Sequence, residues 1–118
     1  MFDEFQPGAE NAIRTCLNVK PHERVTVITD REIRPIADAL VAEIGRVGAT
    51  HRLFVLEDEA TRPLVDLPAS IAADMELSDV SIFAAHVQQN ELGSRMQMTD
   101  IVNRRRMRHA HMVNITPQ

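Results

Sequence analysis

Tryptophan and tyrosine are absent, and two of the four phenylalanines fall within the first five residues. Single-strand nucleic-acid binders stack bases on aromatic rings, so this chain has nothing from which to build such a platform. Carbohydrate stacking is disfavoured for the same reason. A formal net charge of -4, with no long basic block in the first part of the chain, also argues against a general nucleic-acid partner. Cys16 is the only cysteine, which excludes an intrachain disulfide and any multi-cysteine zinc or iron–sulfur site. A reducing cytoplasm is therefore the expected compartment. No apolar run approaches the ~20 residues that span a bilayer. Met1-Phe2-Asp3-Glu4-Phe5 places acid where a secretory leader carries base, so no membrane partner is expected.

Glycine is also scarce, with four in 118 residues. That length suits one domain with a single core, spanning 1–118. Its most informative stretch is Leu17 to Asp30, LNVKPHERVTVITD, which reads as a helix end, a turn and a buried strand delivering a carboxylate. Strand-like runs begin near Val25, His51, Val80 and Ala110, at the spacing a strand–helix unit of a parallel sheet requires. Between the first two, Ile33, Ile36, Ala37, Leu40, Val41, Ile44 and Val47 form one apolar helical stripe. Pro35 fits its first turn and Gly48 its end. Ala12, Ile13, Cys16 and Leu17 mark an opening helix, and Ala69 to Leu77 a short one. Ser94-Arg95-Met96-Gln97 matches a capping box and predicts a helix start, and Ala110 to Ile115 reads as the fourth strand. The expected fold is a Rossmann-like three-layer α/β/α domain with a mainly parallel sheet of about four strands. Right-handed crossovers favour strand order 2-1-3-4, with 3-2-1-4 the other compatible order.

Ligands in open α/β sheets bind at the carboxyl ends of strands, which singles out the residues following each run. The first strand ends in Thr29-Asp30-Arg31-Glu32 without glycine. A phosphate-cradling loop needs glycines for backbone N–H groups to close on the anion, so dinucleotide and P-loop chemistry are excluded there. A phospho-receiver would need an acid after its third strand, where this chain has His86. Asp30, His86 and Glu91 share the same edge but lack the paired spacing of a metal motif. Asp30 is expected to cap the following helix, and His86 to be an ordinary strand-end histidine. His109 and His111 read as surface residues, and Cys16 as a buried structural thiol. The Arg104 to Arg108 cluster reads as a solvated helix end and Glu57 to Glu59 as a solvated loop.

One family nevertheless matches the order of these elements. Ala12-Ile13, Cys16-Leu17-Asn18-Val19-Lys20-Pro21, Glu23 and Val25-Thr26-Val27-Ile28-Thr29-Asp30 resemble the opening of aminopeptidase T-type metallo-aminopeptidases. These begin with a helix, a turn of the "vkpGE" kind and a hydrophobic strand ending in Asp. Here His22 replaces the usual glycine. The resemblance continues through Ile36 to Leu40, Gly48-Ala49, Leu67-Pro68, Ser78-Asp79-Val80 and the arginine-bearing helix before Ala110. It implies the amino-terminal domain of a two-domain protein, with a divalent-metal site in the carboxyl-terminal catalytic domain and no cofactor in this chain. The domain would cover the catalytic half and help shape the cleft and a dimer, so the carboxyl-terminal domain and a second copy are the implied partners. Asp30, Arg31 and His86 become substrate-cleft candidates, and no catalytic residue or metal ligand is carried over. An iron-dependent pyridine-ring dioxygenase is related to the same family, and a stand-alone α/β interaction module is a further reading. No closing helix is encoded after the fourth strand, so pairing of its open edge is expected.

Overall fold

Four short β-rich runs pair into one all-parallel sheet in a computed structural model of the chain, which describes residues 6–86, 88 and 90–112. An opening helix α1 (Gln6–Glu10) runs into a π-helical turn (Asn11–Cys16). There follow β1 (Arg24–Thr29), α2 (Arg34–Val47), β2 (Thr50–Val55), α3 (Leu56–Glu59), α4 (Ala69–Met75), β3 (Val80–Ala84), α5 (Leu92–Arg105) and β4 (Arg108–Met112). The sheet order is β2-β1-β3-β4, the first of the two orders compatible with the sequence. β4 begins two residues earlier than its apolar pattern predicts, and residues 113–115 of the expected strand lie outside the described residues.

The central strands carry apolar side chains on both faces, as a sheet covered by helices on both sides demands. Val25, Val27, Val80, Ile82 and Ala84 pack with Ile13, Ala37, Leu40 and Ile44 under α1 and α2. On the opposite face, Ile28, Phe54 and Phe83 meet Leu64, Ile71, Met75 and Met98 under α4 and α5. Full burial of such a side chain contributes roughly 1.5–3 kcal/mol. Two cores on one sheet make three layers.

Several local expectations are corrected. Cys16 is exposed, not buried. The opening helix winds in π register, so Ala12 and Ile13 share their buried face with Leu17, and Cys16 turns outward toward Asn11. The helix expected to start at Ser94 starts at Leu92, and no capping box forms. The Ser94 hydroxyl donates to the Glu91 carbonyl from inside the helix, while Gln97 accepts from the Leu67 amide and donates to Asp66. The arginine cluster is not merely solvated. Arg105 donates to the Met75 and Ser78 carbonyls, Arg108 donates to Leu17 and Asn18 and pairs with Glu23, and Arg104 pairs with Glu76. His109, expected at the surface, is half-buried with Nδ1 2.6 Å from the Ser81 hydroxyl, whereas His111 is exposed as expected and stands edge-on to Phe83.

Candidate functional site: a guanidinium lock at the sheet switch point

With order β2-β1-β3-β4, the chain leaves β1 toward one neighbour and returns to the other, so the topological switch point lies between β1 and β3. Asp30 follows β1 and His86 follows β3, at the carboxyl end of the sheet. Asp30 is 2 % exposed and spans the gap. Its Oδ1 accepts from the Ile33 amide at 2.8 Å, which caps the turn leading into α2. Its Oδ2 accepts from the His86 amide at 2.7 Å, joining the two strand ends. The helix cap expected of Asp30 is displaced to the preceding turn, since α2 has Ile33 at its N-cap with no side-chain cap hydrogen bond, and Asp30 has this second, strand-joining role besides.

The centre of this edge is a residue that the sequence pattern did not mark. The Arg62 side chain, 6 % exposed, comes in from the loop between α3 and α4. It donates through Nε and Nη2 to the two oxygens of Glu91, at 3.0 and 2.7 Å. Nη1 reaches Asp30 Oδ2 at 3.2 Å and Glu57 Oε2 at 3.4 Å, and Nη2 also donates to the His86 carbonyl at 2.9 Å. Glu91 further accepts from the Leu64 amide at 2.8 Å, and Glu57 from the Arg31 amide at 3.1 Å. One planar cation thus ties together the segments that follow β1, β2 and β3. Bidentate pairing of this kind needs guanidinium geometry.

Electrostatics agree with this arrangement. Burial pushes the Glu91 carboxyl up, but the Arg62 guanidinium and the Leu64 and Gln88 amides more than offset it and hold the group below the usual carboxylate range. The Glu91 hydrogen bonds raise Arg62 further above its ordinary value, against burial, with Asp30 and Glu57 adding to the effect. Arg62 is charged at every accessible pH. The Glu57 to Glu59 run, expected as a solvated loop, is the short helix α3, and Glu57 belongs to this cluster while Asp58 and Glu59 are exposed.

The cleft candidates separate in space. Asp30 is buried within the lock. Arg31 is exposed and its guanidinium lies 3.2 Å from Asp58. His86 places its backbone in the lock, while its ring Nε2 lies 3.1 Å from Glu32 without the alignment of a hydrogen bond. A signal for Arg62 did exist. Carboxylates follow β1, β2 and β3, and Arg62 is the only lysine or arginine between Arg52 and Arg95. The acids on one sheet edge therefore had one nearby cation to share.

A metal ion does not fit here. Every oxygen of Asp30, Glu57 and Glu91 already accepts from a guanidinium or an amide, and Arg62 fills the position a cation would take. Among the described residues, no group of three or more His, Cys, Asp or Glu is placed to hold an ion. The arrangement does the work of a brace, fixing three loops whose outer surfaces face the end of the sheet.

No protein-family profile matches the chain, and no curated protein sequence does. Among solved structures, it is similar to wild-type AmpT from Thermus thermophilus, with a TM-score of 0.65 and 15 % identity. The match covers 99 % of this chain and 37 % of that one, so the chain spans little more than a third of the protein it resembles. At this identity the similarity establishes a shared fold. Among the described residues, no helix is long and apolar enough to cross a membrane.

Proposed function

We propose that this chain is the amino-terminal, cleft-covering domain of a metal-dependent aminopeptidase-like protein whose metal ligands belong to a separate carboxyl-terminal domain. The observation that carries this reading is the fold shared across almost the whole chain with just over a third of AmpT, an aminopeptidase T. The Arg62 lock supports it. Its carboxylates are occupied in holding loops together, which suits a wall better than a reaction centre.

A divalent metal in the other domain would supply Lewis acidity and a water of lowered pKa. The residues of this chain would bind and orient. Asp30 and Arg62 hold the three strand ends in fixed relation, and the exposed Arg31, beside Asp58, is the cleft candidate that reaches solvent, with the His86 ring partly covered next to Glu32. Exposed Val65, Leu92 and Met96 give the same end an apolar surface. Leu92 and Met96 are one helical turn apart on α5, and the Val65 carbonyl lies over Gly93. Such a surface suits contact with a catalytic half. Homo-oligomerisation belongs to the same proposal, with the outer edge of β4, unpaired among the described residues, as the template.

The test is an assay of the native gene product, purified from its own cells, on a leucine chromogenic amide with cobalt, zinc or manganese. Turnover that a chelator abolishes, and that the 118-residue chain alone lacks, is the expected result. Metal-dependent turnover by the chain alone that disappears in Asp30→Ala and His86→Ala would contradict the placement of the reaction in another domain.

A further inference from the structure

At the opposite end of the sheet, where the chain approaches β1 and leaves α2, an open groove of about 340 Å³ is lined by Arg14, Asn18, Val19, Lys20, Pro21, Arg46 and Val47. Every charged side chain on that lining is a cation, although the chain as a whole carries a formal net charge of -4. Beneath lies Glu43, 1 % exposed, held between two arginines. Arg14 donates to one of its oxygens through Nε, and Arg46 Nε donates to the other at 2.9 Å. Burial pushes this carboxyl up, and the two guanidiniums more than offset it, so it stays ionised.

One bidentate arginine would neutralise Glu43. Two are used instead, each through Nε alone, and both side chains remain about half exposed, at 51 % and 48 %. Among the described residues, neither guanidinium has a partner for its Nη atoms, and Lys20 Nζ has none. Within the lining and the Glu43 beneath it, three cations stand against one carboxylate, an excess of two positive charges. Of the acids nearby, Glu10 lies four residues before Arg14 and is itself partnered, and Glu23 is engaged by the Lys20 amide and by Arg108. Arg108 also holds the Leu17 and Asn18 carbonyls, at 3.0 and 2.8 Å, and so fixes the loop that carries Lys20. Glu43 works as a peg that holds two half-exposed guanidiniums side by side, in a groove that Lys20 also lines.

We infer that this groove binds a phosphate monoester, with the phosphoryl group between the outer edges of Arg14 and Arg46 and Lys20, and the organic portion against Pro21 and Val47. Two guanidiniums and an ammonium suit a dianionic group in charge and in the type of donor they offer. The volume lies at the small end of ligand sites, which suits a compact monoester. The inference does not rest on the aminopeptidase reading, because the groove lies away from the switch point and uses none of its residues.

The test is titration of inorganic phosphate, and separately phenyl phosphate, into the isotope-labelled full chain, following the arginine Nε–H signals and the Asn18 and Lys20 amides. Chloride at matched ionic strength controls for screening. Saturable shifts confined to the groove are expected, with phenyl phosphate the tighter ligand. Lys20→Met, which removes no side-chain pair, should weaken binding at least about threefold without loss of fold, and Arg46→Gln should weaken it by a similar factor. Shifts that do not saturate, or that chloride reproduces, would overturn the site. An unchanged affinity in Lys20→Met would do the same, and phenyl phosphate no tighter than inorganic phosphate would overturn the ester assignment.

Discussion

Arg62 converts what would be mutual repulsion among Asp30, Glu57 and Glu91 into a brace, and its removal isolates the most buried of those charges. Arg62→Met should therefore lower stability by about 3–5 kcal/mol, the scale for breaking a buried ion pair from one side, read as a fall in the urea midpoint. Arg62→Lys should recover only part of the loss, because an ammonium has three donors where the guanidinium makes five hydrogen bonds to four groups. A second residue effect depends on pH. Burial, with a smaller contribution from His111, pushes His109 down to about 4, against a slight upward pull from Ser81. A histidine depressed in the folded state binds fewer protons there than in the unfolded chain. Its contribution is complete above pH ~6.5 and is lost as pH falls toward about 4, costing up to about 3 kcal/mol at the lower end. Glu91, held low, adds a loss in the same direction below the ordinary carboxylate range. His109→Gln should flatten stability against pH between about 6.5 and 4, and an unchanged slope would refute the assignment. At this scale the site was half legible. Asp30 announces itself as a polar residue ending a β-branched run, whereas Arg62 lies in a proline-punctuated loop, where position in space is set by tertiary folding and carries no periodic signature.

At the scale of elements, α2 shows how local chemistry and packing divide the work. Its apolar stripe buries Ala37, Leu40 and Ile44, and Gly48 ends it with φ of 93°. The Gly48 amide bonds back to Gly45, and the Ala49 amide to Ile44. A Cβ on Gly48 would meet Pro21 at an ordinary 3.6 Å, so the obstacle there is backbone conformation and not space. Gly48→Ala should cost about 1–2 kcal/mol, whereas Gly45→Ala, which meets nothing within 4 Å, should stabilise by roughly 0.5–1 kcal/mol. Thermal unfolding of the two variants should move in opposite directions, and a shift of the same sign would refute this account of the helix end. The sequence made α2 and the strands readable because periodicity and punctuation coincide in them. It was less informative for α5, where Ser94 and Gln97 have the spacing of a capping box but the helix begins at Leu92, because Glu91 is drawn into the Arg62 cluster and Gln97 is used by the preceding loop. The π turn at Asn11–Cys16 was likewise invisible, since its apolar residues also fit an ordinary helix and only the position of Cys16 distinguishes the two.

For the molecule as a whole, the two ends of the sheet present different surfaces. The carboxyl end is braced by one guanidinium among three carboxylates and flanked by exposed apolar side chains, and the amino end carries a groove lined by cations, only partly offset by the buried Glu43. A braced end suits a cover for another domain's cleft, because loops held by a shared guanidinium keep their shape when substrate arrives or leaves. The central claim, that this fold serves as one part of a larger metal-dependent enzyme, is tested most directly by the intact mass of the native gene product, captured from its own cells with an antibody to this domain. A mass well above that of the 118-residue chain is predicted, with the additional sequence carrying the metal ligands. A mass equal to that of the chain would contradict the claim and leave a domain that acts by binding alone.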